Sequence, residues 1–273
     1  MSRPVSTRYD ALRRVGGEGV VILGGQRALL MQIAHPKIAA GVDQHSDFDL
    51  APLMRLAGTI DTVIMIVWGG PDEAQRAVEV IRRRHDSING PVPDLDESAS
   101  YSAHDSELQL WVWATLVDTA GTLFERYVRR YHPGERSAVY ADWLGFAEFL
   151  GIPESLLPDT TGEFDDYLAT MLDSDELQVT DTTRRVAANV LRPPLAFVPR
   201  VAWTLPRDLT ATLLPRQLRD AYGLRISPRR QQQVARFDTL VRAGLRVVPK
   251  ARRRLPDAYV ATRRLQRRLA LAA

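Results

Sequence analysis

Apolar residues along this chain recur every three to four positions, and the period-two alternation of half-buried strands is almost missing. That periodicity restricts the fold more than any other feature, because it favours helices that bury one face over strands that pair. In residues 25–40, Leu29, Leu30, Ile33 and Ile38 recur at spacings of three to five, and Ala28 and Ala34 are small contacts. A break or kink is predicted at Pro36. Residues 51–67 read as a largely buried helix starting at Pro52, since proline suits a first turn, and Gly69-Gly70 ends it. The next helix, residues 72–84, opens on Pro71-Asp72-Glu73 and closes on Arg82, Arg83 and Arg84, charges that suit the helix dipole at both ends. Residues 105–131 begin at a cap, Asp105 or Ser106, and residues 135–150 stop at Gly151-Ile152-Pro153. Further helices are expected over 162–172, 180–191, 206–222, 228–247 and 257–271.

Other elements are few. Residues 89–100, rich in Pro, Asn, Asp and Ser, read as a loop. The best strand candidate is 20–23, a short apolar run that suits buried helix equally well. Only Leu191-Arg192-Pro193-Pro194 resembles a linker, and amphipathic segments continue beyond it. The expectation is an all-α fold, one multi-helix domain over residues 1–273. Its core covers about 16–230, with the basic C-terminal helices of 228–271 packed on it.

Composition then removes classes of chemistry. The chain has no cysteine, which excludes disulfides, thiolate metal sites, iron–sulfur clusters and cysteine nucleophiles together. The most apolar stretch, residues 62–68, is far short of the roughly 20 residues of a membrane span. The first ten residues lack a signal-peptide core. A cytoplasmic protein is expected. The net charge of +3 conceals an asymmetry: residues 181–273 hold 21 basic and 5 acidic residues, whereas the first 180 hold 15 and 28. Such a division raises an anionic membrane or nucleic acid as partner. The run Arg252-Arg253-Arg254, with Arg263, Arg264, Arg267 and Arg268, carries the argument furthest, but it has no interleaved aromatics and no nucleic-acid motif around it. Docking on the protein's own acidic body is the preferred reading, peripheral membrane contact the second, and nucleic acid the third and unlikely.

Several catalytic signatures are missing. No histidine has a glutamate three residues before it, as di-iron bundles require. There is no His-Glu-x-x-His, no P-loop and no Gly-x-Ser-x-Gly, and the glycines of residues 16–25 miss the dinucleotide fingerprint. Five histidines remain: His35, His45, His85, His104 and His132. A helical protein can hold haem through one imidazole, with cations near the propionates and apolar walls around the ring.

A set of segments in order is more specific. Gly-Gln-Arg-Ala-Leu-Leu-Met-Gln-Ile-Ala-His-Pro (25–36) leads into Ala-Ala-Gly-Val-Asp-Gln-His-Ser-Asp-Phe (39–48). Arg55-Leu56-Ala57-Gly58-Thr59, Arg84-His85-Asp86-Ser87-Ile88-Asn89-Gly90 and Tyr101-Ser102-Ala103-His104-Asp105 follow. Then come residues 110–118, from Leu110-Trp111-Val112-Trp113 to Asp118, and Leu218-Arg219-Asp220-Ala221-Tyr222-Gly223-Leu224. Together, over about residues 16–230, they resemble the MpaB-type oxygenases, a family that includes the bacterial latex-clearing proteins.

The resemblance implies an all-helical fold with a buried b-type haem and dioxygen-dependent oxidation. It places Arg55 and Thr59 on the distal side and His85 as the proximal iron ligand. Two positions depart from the family pattern: Gly58 stands where the distal lysine is expected, and Trp113 where histidine is common. Both argue against a rubber substrate. Arg55 and Thr59 are one turn apart on one helix face, where arginine can stabilise developing negative charge. Arg27, inside an apolar helix, must be paired; a haem propionate is one partner, Asp43 or Glu18 the other reading. His35 either lines the pocket or is a hydrogen-bonded core residue. His45 reads as a brace for the next helix, and His104 and His132 as surface residues. Trp111 and Trp113 read as core. The wall residues expected are Met31, Ile64, Met65 and Trp68, which imply a small apolar or lipid-like substrate. The competing readings are a non-enzymatic member, haem-binding or haem-free, and an adaptor acting through the basic C-terminal helices.

Overall fold

Asp105 starts the longest helix among the described residues, its carboxylate accepting from the backbone N–H groups of Glu107 and Leu108. The packing partners of this helix are helices from the N-terminal third, the helix that follows it and the last described helix. The computed structural model describes residues 9–45, 51–194 and 198–249, together with Arg253 and Val260; side chains of residues 51–56 lie outside it. The helices are α1 (Asp10–Gly16), α2 (Gly25–Ile33), α3 (Pro36–Gln44), α4 (Ala51–Val67), α5 (Pro71–His85), α6 (Ser106–Tyr127) and α7 (Glu135–Leu150). After them come α8 (Thr161–Asp173), α9 (Asp181–Leu191), α10 (Thr204–Leu213), α11 (Arg216–Ala221) and α12 (Pro228–Val247). A two-stranded antiparallel ribbon, β1 (Asn89–Pro91) and β2 (Ser100–Ser102), pairs Gly90 with Tyr101. The fold is all-α.

Local chemistry explains most boundaries. Thr160, Thr180 and Ser227 cap α8, α9 and α12, each side-chain oxygen accepting from an N–H in the first turn. Glu73 accepts from the Gly70 N–H at 2.6 Å and closes the start of α5. Gly151, at φ 85°, ends α7 in the left-handed conformation that glycine adopts without strain.

Three expectations are corrected, one open reading is decided, and one expected break is found. Residues 20–23 are not a strand but the middle of a 3-10 helix, Gly19–Gly24, which packs on α6. The run finds no strand to pair with, and its glycines allow close approach instead. A Cβ on Gly24 would lie 2.7 Å from Leu123 Cδ2 and closer still to Thr119 Cγ2. The break expected at Pro36 is found: it separates α2 from α3, because His35 before it is driven to extended backbone, ψ 118°. The helix expected over 206–222 divides in the same way: Leu214, before Pro215, is extended at ψ 144°. The long helix ends at Tyr127, four residues before its expected end. The expected loop of 89–100 has paired ends. The helix expected over 257–271 lies outside the described residues, except that Val260 is buried against Ile64 and Met65 of α4.

Trp111 and Trp113 are among the largest fully buried side chains. The Trp111 indole N–H donates to the Met31 carbonyl, and that of Trp113 to the Trp143 carbonyl. Each ring therefore fills the core with its one polar atom satisfied. Both are core residues, as the sequence implied. Trp113 sits against Tyr140 and Phe164, with ring centroids 6.0 and 5.8 Å away. α12 packs on α10 and α6, where Val234 and Leu213 share a buried cluster with Leu123.

Candidate active site

The α6 face carrying Gln109, Val112 and Leu116 lines a cavity of about 290 Å³, at the lower edge of the ~300–1,000 Å³ typical for small-molecule sites. α3 contributes Lys37, Ile38, Gly41 and Val42. α4 contributes Gly58, Thr59, Thr62 and Val63. α5 brings Ile81, Arg84 and His85 at its C-terminal end. Tyr101 comes from the ribbon, and Phe146 and Leu150 from α7. The lining is mostly apolar, with a few polar groups, as small-molecule sites usually are.

Several polar groups of the wall are held within the protein. Gln32 Nε2 donates to Thr115 Oγ1 at 3.1 Å, and Gln109 Nε2 to the Ala103 carbonyl at 2.8 Å. The Tyr101 hydroxyl donates to Gln44 Oε1, and burial raises its pKa. His85 is the one histidine among those described that lines the cavity. It sits at the end of α5, edge-on to His104 at 6.0 Å between ring centroids. His104 is exposed and pairs with Asp86 at 2.9 Å. His132 is exposed as expected, and His45 reaches the Asn89 carbonyl at 3.3 Å; the start of the next helix, which it was expected to brace, has its side chains outside the described residues.

Thr59 lines the cavity, and Arg55 lies one turn earlier on α4; the Arg55 side chain, with Asp47 and Asp49, lies outside the described residues. Two residues singled out as cofactor contacts are placed elsewhere. Arg27 lines neither cavity. Its Nε donates to the Leu213 carbonyl at 2.8 Å, Nη1 to Thr119 Oγ1 at 2.6 Å and Nη2 to Asp118 Oδ2 at 2.5 Å. These bonds direct its charge to Asp118, neither to a cofactor carboxylate nor to the expected Asp43 or Glu18. Asp43 pairs instead with Arg185, at 2.7 Å. His35 is a core residue: its Nδ1 accepts from the Lys37 N–H at the start of α3, and its Nε2 lies 3.3 Å from Glu176. Burial pushes this imidazole below the usual histidine range; Lys37 adds to the effect and Glu176 opposes it. With both nitrogens engaged and no place on the cavity wall, His35 is not arranged as a metal ligand.

The sequence reading missed Arg84 and Lys37, which bring positive charge to the cavity. In the sequence Arg84 reads as a dipole partner of α5 and as the start of the Arg84–Gly90 motif, with no role in the cavity. Its neighbour His85 was the available signal, because adjacent residues at a helix end can reach one opening. The guanidinium lies beside Gly58, with Nη1 3.6 Å from where a Cβ would stand. Trp113 faces α7 and α8 instead of the cavity, so a histidine at that position would point into the core.

A second chamber of about 130 Å³ adjoins the first, and Thr59, Val63 and Leu116 line both. Among the expected wall residues, Ile64 and Trp68 line this chamber. Met31 and Met65 line neither cavity: Met31 is buried in the main core and Met65 packs under Val260. The Tyr222 hydroxyl donates to the Leu30 carbonyl at 2.7 Å, tying the C-terminal motif to α2.

Helices from the first 150 residues thus line two adjoining, mostly apolar cavities, the larger carrying one imidazole and two cations. Residues 12–243 match the family described as ER-bound oxygenase mpaB/B'/Rubber oxygenase, catalytic domain, and the chain belongs to that family. Neither curated proteins nor solved structures gave a match. Among the described residues no helix is long and apolar enough to cross a membrane.

Proposed function

We propose that the protein is a haem-b-dependent oxygenase acting with dioxygen on a small apolar or lipid-like molecule. One observation carries this reading: His85 is brought to the same apolar cavity as Thr59. Among the described residues no three histidines or carboxylates gather as metal ligands. The donor set suits a macrocycle, which brings four ring nitrogens of its own and needs a single imidazole. Haem would supply the activation of dioxygen.

The roles of the side chains follow from their chemistry. His85 would hold the iron through a ring nitrogen. Arg84 and Lys37 are the cations available to the propionates, in place of Arg27. Thr59 offers a hydroxyl within the cavity, and Arg55, one turn earlier, completes the distal pair that the resemblance implies. Val42, Val63, Val112, Leu116 and Phe146 exclude water and favour an apolar chain. Gly58 leaves no lysine side chain to occupy the site.

The test is spectroscopic. Haem-supplemented expression should give a Soret band and about one haem per chain by pyridine haemochrome, and His85→Ala should lose both. A colourless wild type, or an unchanged H85A spectrum, would sink the reading.

For the basic half, the Arg185–Asp43 pair and the burial of Val260 on α4 support docking on the acidic body. Peripheral contact with anionic lipid remains the second reading. It predicts vesicle binding that falls steeply with salt.

A further inference from the structure

The wall of the larger cavity carries two cations and no acid. Lys37 of α3 and Arg84 of α5 line it, and none of its lining residues is Asp or Glu. Among the described residues neither cation is paired with a carboxylate. Three acids beside wall residues are engaged elsewhere: Asp43 with Arg185 at 2.7 Å, Asp86 with His104 at 2.9 Å, and Asp105 with the first N–H groups of α6. Neutral polar groups of the wall are engaged as well. Gln32 donates to Thr115, Gln109 to the Ala103 carbonyl and Tyr101 to Gln44. The charge left for a ligand is positive, and the surface beside it is mostly apolar.

We infer that this cavity takes an apolar chain ending in a carboxylate, and that the substrate is an acid of the fatty-acid type. Charge selects the head group. Two uncompensated cations beside a low-dielectric wall favour a negative charge without both having to touch it. An alkylammonium meets like charge, and an alcohol leaves both cations uncompensated. A guanidinium can hold a carboxylate through two parallel hydrogen bonds. A carboxylate is also a small head group, which leaves most of a cavity of about 290 Å³ to the chain.

The wall gives the ligand a direction too. Lys37 is half-buried and Arg84 exposed, so the head lies where the cavity meets water. The chain passes Val63 and Leu116, which line both cavities, towards the smaller one, where no lysine, arginine or histidine lines the wall. The preference for an acid belongs to the cavity without haem; only the step from ligand to substrate rests on the proposed function. Haem has carboxylates of its own, and the same two cations are available to them, so the two sources are separated by experiment.

Decanoate, 1-decanol and decylammonium are titrated calorimetrically into the haem-free full-length chain at low salt. Decanoate should bind about tenfold more tightly than decanol, as expected for two partly screened charge contacts, with a lead that shrinks as salt is raised. Decylammonium should bind most weakly. Arg84→Gln and Lys37→Gln should each weaken decanoate about threefold and leave decanol unchanged, and the double variant should erase the lead. Circular dichroism confirms that each variant is folded. The titration is then repeated on the haem-loaded chain, where decanoate should keep its lead. A lead lost on haem loading would give both cations to the propionates and overturn the substrate assignment. No decanoate binding to the haem-free chain, equal binding of decanoate and decanol, or a lead unchanged in the double variant would overturn the carboxylate site itself, whatever the Soret experiment shows.

Discussion

Arg27 Nη2 lies 2.5 Å from Asp118 Oδ2, joining α2 to the middle of α6 across 91 residues of sequence. The arginine is 3% exposed, and its other donors reach the Thr119 hydroxyl and the Leu213 carbonyl. One side chain thus ties α2, α6 and the end of α10 together behind the cavity.

Removing it leaves three acceptors without their donor. Arg27→Met should destabilise the fold by about 3 kcal/mol, the lower end for breaking a buried pair because Asp118 is partly solvated. Urea denaturation measures the loss. Haem bound per folded chain should be unchanged; a selective fall in haem content would return Arg27 to the propionates.

Stability should decline as the medium is acidified through His35. Its folded-state pKa lies below the unfolded value of about 6.5. The unfolded chain therefore takes up its proton first, and stability is lost as pH falls from about 6.5 towards the lower folded value. The groups acting on it are Glu176, Lys37 and Asp105. His35→Asn keeps a capping side chain at the start of α3 and should flatten the dependence between pH 7.5 and 5. An equal slope in both proteins would contradict the assignment.

Two glycines should respond in opposite directions. Gly24→Ala drives a methyl group into Leu123 and Thr119 of α6 and should cost about 1–3 kcal/mol. Among the described residues, Gly58→Ala meets Arg84 Nη1 alone, at an ordinary 3.6 Å. Within α4 it should stabilise by about 0.5–1 kcal/mol. Thermal and chemical denaturation of the two variants would read both signs.

Placing a histidine at Trp113, as the resemblance suggests, should not create an iron ligand. Trp113→His removes ring contacts with Tyr140 and Phe164 and should cost about 3 kcal/mol. The Soret and charge-transfer bands of the haem-loaded protein should stay where they are. A shifted ligation spectrum would mean that residue 113 reaches the iron.

Much of this molecule was legible as sequence because its signals are local. Thr180 and Ser227 mark helix starts through bonds to N–H groups three residues away, and Gly151 ends α7 through its own backbone freedom. The ordered motifs were enough to indicate the family. Where local signals competed, the reading failed. Residues 20–23 have the composition of a strand or of a buried helix, and only the passing surface of α6 decides between them. Pro215 was read as part of one helix, although its ring forces Leu214 out of helical geometry.

Periodicity, caps and prolines determined an all-α chain with helix ends in nearly the right places, since these act within a few residues. Tertiary structure alone decided which charges meet and which are left without a partner. Arg27 found Asp118 instead of Asp43, and Arg84 came to lie beside Gly58. Lys37 and Arg84, from α3 and α5, came to line one cavity with no acid on its wall. Such outcomes depend on how whole helices pack, because a charge or hydrogen bond acts over a few ångströms in space whatever the separation along the chain.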